Sequence, residues 1–188
     1  MSLALPGGVA TAQEGRDESP QGEIQLSDDT VQLRYLDDGD RVADGSRVSA
    51  SFFLSEQRDI VLSGDLLFPA RVGFDRLQLR FGPRAYAALL EEENNDVLAM
   101  SLGVELRLEL DSRSGLAIAG QAFHAPDVLT FGSADNLTDL SARIEMRLQP
   151  RLIAFGGMRW FEFELTPGSV PTERTLQEEL FVGVGWKF

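Results

Sequence analysis

Acid–base and metal chemistry need particular side chains, and this chain has few of them. It holds one histidine, His124, and no cysteine. A lone histidine could serve a Ser-His pair of the kind that cleaves lipid esters, given an acid to orient the ring. Here Ala125 and Pro126 follow His124 and no serine adjoins it. Ser101 and Ser141 could reach it only through the fold, and nothing in their spacing requires that. No catalytic residue is assigned, and His124 reads as a strand-end residue near an interface. Asp37, Asp38, Asp40 and Asp44 lie among Gly39 and Gly45, which has the look of a calcium loop. The closing bidentate glutamate is missing, and Asp and Gly are ordinary turn formers. Without cysteine there is no disulfide framework and no Cys-ligated metal site. No metal and no cofactor are expected.

The informative chemistry is charge at a spacing of two. Arg80 and Arg84, then Glu105, Arg107 and Glu109, then Arg143, Glu145 and Arg147, then Glu162 and Glu164, alternate with apolar or small neighbours. In 97–110, Leu98, Met100, Leu102, Val104, Leu106, Leu108 and Leu110 share one phase, and Ser101, Gly103, Glu105, Arg107 and Glu109 share the other. In 140–148, Leu140, Ala142, Ile144, Met146 and Leu148 oppose Ser141, Arg143, Glu145 and Arg147. Period-2 alternation is the strand signal. It recurs over 30–36, 46–55, 59–68, 77–86, 115–124, 151–165 and 177–188. Turn residues at 37–40, 56–59, 111–114 and 149–151 separate the segments. No amphipathic helix, low-complexity tract or domain linker interrupts them.

These elements predict an all-β chain, an antiparallel up-and-down barrel of about 8–10 strands. Several segments run 9–13 residues, long enough to cross a bilayer at a tilt. Mean hydropathy is −0.10, and no apolar run approaches a transmembrane helix, as befits strands whose two faces average out. Alternation alone leaves an inversion open: a soluble barrel with the Leu/Met face inside, or a membrane barrel with that face on lipid.

The C-terminus favours the membrane version. Leu180, Val182, Val184, Trp186 and Phe188 share one phase, and the last residue is aromatic. Gly183, Trp186 and Phe188 resemble the terminal signal that the bacterial barrel-assembly machinery reads, with Phe181 a departure where that signal has a polar residue. With the C-terminus periplasmic, the long connections 166–176, 125–136 and 91–96 fall outside, and the short ones 149–150 and 111–114 fall inside. Nine segments are clear. An even count needs either two short strands within 23–36, giving ten, or one hairpin fewer, giving eight. At the N-terminus, Ala10-Thr11-Ala12 has the form of a signal-peptidase site. Residues 1–12 read as a signal-peptide remnant, 13–22 as an acidic tail and 23–188 as the barrel.

The stretch Phe123-His124-Ala125-Pro126-Asp127-Val128-Leu129-Thr130-Phe131-Gly132 is followed by the strand 137–148, a tight turn, the strand 151–163 and the aromatic end. Together these resemble the YfaZ family of outer-membrane proteins, over roughly residues 24–188. The resemblance implies an outer-membrane barrel and brings no activity, substrate or catalytic residues.

The expected function is accordingly non-enzymatic: a bacterial outer-membrane barrel in a structural, envelope-integrity or adhesion role. Its lumen is expected to be closed by the charges named above, because an eight-stranded barrel is just wide enough for side chains to fill. The same residues could instead line a narrow channel for small solutes or ions, and a barrel-type lipid-modifying enzyme is a third reading. Outer-membrane lipid, lipopolysaccharide and the assembly machinery are the expected partners. The run Glu91-Glu92-Glu93-Asn94-Asn95-Asp96 reads as a solvated external loop. A formal charge of −13 argues against nucleic acid, which needs clustered cations. Nothing in the sequence sets an oligomeric state.

Overall fold

The computed structural model describes residues 20–39, 43, 45–91, 95–132, 134–165 and 172–188. The expected signal-peptide remnant, the tail up to residue 19, Asp40, Asp44 and Glu92–Asn94 lie outside the described residues.

The strands are β1 (Gln21–Ser27), β2 (Thr30–Asp37), β3 (Arg47–Ser55), β4 (Ile60–Ala70), β5 (Leu77–Leu90) and β6 (Asn95–Asp111). Then follow β7 (Leu116–Ala125), β8 (Thr130–Gly132), β9 (Ala134–Gln149), β10 (Leu152–Leu165) and β11 (Thr172–Lys187). All pairings are antiparallel. Their order is β5-β4-β3-β2-β1-β11-β10-β9-β7-β6, and β6 pairs back to β5, which closes the cylinder. β8 extends β7 along the same partner, with a 3₁₀ turn at Asp127–Leu129 between them: Leu102 opposes His124, and Ala99 opposes Thr130. β7 and β8 are thus one interrupted strand, and the barrel has ten. Of the two counts open in the sequence, ten is right, because residues 21–37 fold into two short strands, β1 and β2, around Asp28-Asp29. β1 begins at Gln21, two residues before the expected boundary.

β1 and β11 meet at their outer ends: the Phe188 amide donates to the Pro20 carbonyl (3.0 Å). At this terminal end lie the connections 38–46, 71–76, 112–115 and 150–151; at the far end lie 28–29, 56–59, 91–94 and 166–171. The expected grouping of connections by end is present, but the expected lengths are not. The longest connection between strands, 38–46, is at the terminal end. Strand length also varies around the wall, from seven residues in β1 to 17 in β6.

The two faces are not equivalent. Leu98, Met100, Leu102, Val104 and Leu106 on β6 point outward, Leu102 being 64% exposed, while Ser101 and Glu105 of the same strand are buried inside. The inversion left open by alternation is thereby resolved: apolar residues cover the outside and charge lies within.

Candidate functional site: the lumen

Inside the barrel the side chains form layers. At the far end an apolar layer fills the cross-section. Phe53, Tyr86, Phe161 and Phe163, with Val61, Leu90 and Leu137, make one buried cluster. Phe161 stands edge-on to Phe53 (5.7 Å between centroids) and 5.5 Å from Phe163. Arg174 pairs with Asp59 (3.1 Å) at the same end, and ion pairs with the rings of Phe123, Phe155 and Phe181 occupy the middle and the terminal end.

One chain of pairs begins outside the strands at Asp38, which takes Arg47 and Arg80 (3.5 Å to the latter). Arg47 also bonds Glu105, which draws in Arg80 (3.6 Å) and Arg34 (3.8 Å). Arg34 reaches Asp65 (3.4 Å), Asp65 binds Arg84 (2.7 Å), and Arg84 reaches Asp139 (3.3 Å). Asp139 then receives Arg159 at both oxygens (2.9 Å each) and the Tyr86 hydroxyl (2.9 Å). A second chain runs Glu109–Arg107–Glu145–Arg143–Glu23, its closest link being 2.8 Å. Seven arginines meet seven carboxylates across the two chains, so the network is neutral. A buried charge is tolerable only when paired and hydrogen-bonded, and alternation of sign meets that condition without a counter-ion.

The guanidinium is the group this lumen uses. The sequence has 17 basic residues, of which Lys187 is the single lysine. The planar fork bonds two carboxylates and stacks on rings. Arg84 lies 3.7 Å over Phe123, Arg143 4.5 Å over Phe155 and Arg159 4.5 Å over Phe161. Small residues make room. β6 and β9 are separated by β7, whose inward positions here are Ala117 and Ala119, and Arg107 crosses over them to Glu145 (2.8 Å).

Of the residues named from sequence, Arg80, Arg84, Glu105, Arg107, Glu109, Arg143 and Glu145 meet in these chains. Arg147 is exposed near the terminal end, its side chain against Gly115. Glu162 and Glu164 are corrections. On β10, Phe155, Arg159, Phe161 and Phe163 are buried inside and Met158 and Trp160 are exposed outside. Glu162 and Glu164 share the outer phase. Glu162 accepts the Trp160 indole N–H (2.8 Å), and Glu164 accepts Asn136 (2.6 Å). Sequence reasoning missed Glu23, Arg34, Arg47, Asp65, Asp139 and Arg159, and read Asp38 as a turn residue alone. The phase that put Arg143 inside does the same for Asp139, and the phase of Leu33 and Tyr35 puts Arg34 inside.

The other candidate chemistries come apart. His124 is on the outer face, with Nδ1 3.3 Å from the Thr138 hydroxyl. Ser101 is inside, donating to the Arg84 carbonyl (3.0 Å), and Ser141 shares the inward phase of Arg143, so neither pairs with His124. A cavity of about 410 Å³ is a groove on the outer wall at Leu62, Ala87, Leu98 and Phe131. A second, at Val48, Gly64 and Met100, is also on the outer wall, so neither is a lumenal path.

Gly183, Trp186 and Phe188 have local work to do. Phe155 lies directly opposite Gly183, and a Cβ there would be 2.3 Å from its ring. Trp186 covers Gly22 across the closing β1–β11 seam, where a Cβ would be 2.8 Å from the indole. Phe188 packs edge-on to Trp186 (6.0 Å).

No protein-family model matches the chain, and no curated protein matches it in sequence. Among solved structures, it is similar to a KdgM porin in complex with disordered oligogalacturonate. The TM-score is 0.47 and the identity 11%, over 90% of this chain and 99% of that one. A likeness at that level says nothing about what this chain binds.

Proposed function

We propose that the chain is an integral outer-membrane β-barrel of a Gram-negative bacterium with a sealed lumen, and that it serves the envelope as a structural or adhesive element, not as a catalyst or conduit. The observation that carries this is the pairing of an apolar outer belt with a charge-neutral, filled interior. Exposed apolar residues ring the wall: Leu33, Phe52, Leu62, Phe81, Leu102, Ile144, Met158 and Val182 among them. A continuous belt of that size needs a cover. On β10 the outward apolar stretch runs from Leu152 to Trp160 before the glutamates begin. That is roughly 26 Å along the strand, or about 20 Å tall at a barrel's tilt, close to the belt of membrane barrels. Trp160 stands at one border and Trp186 and Phe188 at the other, the positions of interfacial aromatic girdles.

The terminal motif supports assembly by the barrel-assembly machinery, and with it a periplasmic terminal end. The YfaZ-like pattern over 123–163 accords with the same reading, which puts lipopolysaccharide around the far end. Fractionation tests the location. The protein is expected in the outer membrane, with a folded form that runs faster in SDS gels than the boiled form. A soluble monomer recovered without detergent would contradict the proposal.

A further inference from the structure

The charges outside the lumen are sorted by end. At the terminal end, Arg71 and Arg76 bound the β4–β5 connection, Arg113 lies in the β6–β7 turn and Arg151 in the β9–β10 turn. All four are exposed, and none holds an ion pair among the described residues, unlike the arginines of the lumen. Among the described residues, two exposed acids accompany them. One, Asp75, lies within the β4–β5 connection; the other, Asp111, is engaged by Ser114 and the Arg113 amide. At the far end the balance reverses: Asp28, Asp29, Glu56, Glu91, Asp96 and Asp127 are exposed. The exposed arginine there, Arg58, is 3.9 Å from Glu91. Among its described residues, a chain with a charge of −13 therefore presents one basic rim.

Apolar anchors adjoin that rim. Phe74 stands 54% exposed between Arg71 and Arg76, and Phe188 is 61% exposed beside Trp186. Just above them begins the outer apolar belt. Guanidiniums grip phosphate oxygens in pairs, and aromatic rings settle at headgroup level with their apolar bodies toward the hydrocarbon. A ligand that offers phosphate at the rim and hydrocarbon along the wall satisfies both.

We infer that the terminal rim binds the headgroups of anionic glycerophospholipids, and that the acidic far end does not. The inference rests on the membrane-spanning reading above. It also assigns the barrel a sense of insertion: the terminal end belongs in the leaflet richer in anionic phospholipid.

The chain's two tryptophans report on the two ends separately. Trp160→Phe leaves Trp186 at the basic rim; Trp186→Phe leaves Trp160 at the acidic end. The purified barrel is reconstituted in vesicles of phosphatidylcholine and phosphatidylglycerol, with bromine on the chains of one lipid or the other, and tryptophan quenching is read. Trp186 is expected to be quenched about twofold more by brominated phosphatidylglycerol than by brominated phosphatidylcholine, with the preference fading at high salt. The surface variant Arg71→Ala/Arg76→Ala/Arg113→Ala/Arg151→Ala should abolish the preference while leaving quenching itself intact. Trp160 should show none. Equal quenching of Trp186 by both lipids, or a preference that survives in the fourfold variant or appears equally at Trp160, would overturn the inference while leaving the membrane reading standing. Quenching by neither lipid would overturn the membrane reading and this inference with it.

Discussion

Asp139 has no exposed surface, yet it holds a carboxylate in the middle of the barrel because Arg159, Arg84 and Tyr86 all donate to it. The energetic consequence is asymmetric. Breaking a buried pair on one side leaves an uncompensated charge, whereas replacing both partners with apolar groups can be close to neutral. Arg159→Met is therefore expected to lower unfolding stability by about 3–5 kcal/mol, and Arg159→Met with Asp139→Leu to recover a large part of it. Urea titration followed by the folded gel band measures both; a double variant as weak as the single one would show that Asp139 does not depend on Arg159. Asp38, in the 38–46 connection beyond the strands, behaves differently with pH. Burial pushes its carboxyl up, but the guanidiniums of Arg47 and Arg80 outweigh that and hold it below the ordinary value. A carboxyl depressed in the folded state contributes stability that is complete above its unfolded value, about 3.9. That stability is lost as pH falls through the lower folded value. Asp38→Asn should thus cost stability at neutral pH and converge on the unaltered protein in strong acid. A cost independent of pH would mean that the Asp38 charge is not what matters.

Strands are where the sequence is most readable, and their two phases explain both the successes and the misses. Nine of the ten strands follow from alternation. β1, seven residues long, is legible only as one of two possible short strands within 23–36. Alternation fails where the lumen itself turns apolar. The second half of β5 runs Ala87-Ala88-Leu89-Leu90, and Ala88 and Leu90 join the buried aromatic layer, so both faces read alike. The same cause misassigned Glu162 and Glu164. In that part of β10 the inward residues are Phe161 and Phe163, and a rule that sends charge inward picks the wrong face. Partners such as Arg159 and Asp139 needed the strand register, which no single strand contains. Leu106 tests the outward face of β6: Leu106→Arg should cost roughly 2–4 kcal/mol if it lies near the bilayer midplane, and a neutral result would contradict the belt. Gly183 tests the terminal strand. Gly183→Val drives a branched side chain into the Phe155 ring and is expected to cost about 1–3 kcal/mol through overpacking. If the folded gel band resists urea unchanged in that variant, the Gly183–Phe155 contact has no structural weight.

At the scale of the molecule, composition conceals what geometry reveals. A pI near 4.4 describes neither the lumen, where signs cancel, nor the rim at the terminal end, where exposed arginines hold no ion pair among the described residues. Wall height is equally invisible in the totals, since β1 spans seven residues and β6 spans 17. Ten strands wrap around an aromatic layer at the far end and a neutral ionic network that continues, with Phe155 and Phe181, toward the terminal end. On the proposed reading such a barrel withstands a transmembrane voltage without passing ions, because packed rings and ion pairs occupy its lumen. The direct measurement is electrical. Purified protein inserted into planar bilayers is predicted to give no steady conductance, and Arg84→Ala with Arg159→Ala, which strands Asp139 and leaves Arg34 as the arginine on Asp65, is predicted to introduce a leak. A stable, well-defined conductance in the unaltered protein, with an ion selectivity that shifts in that variant, would contradict the sealed lumen.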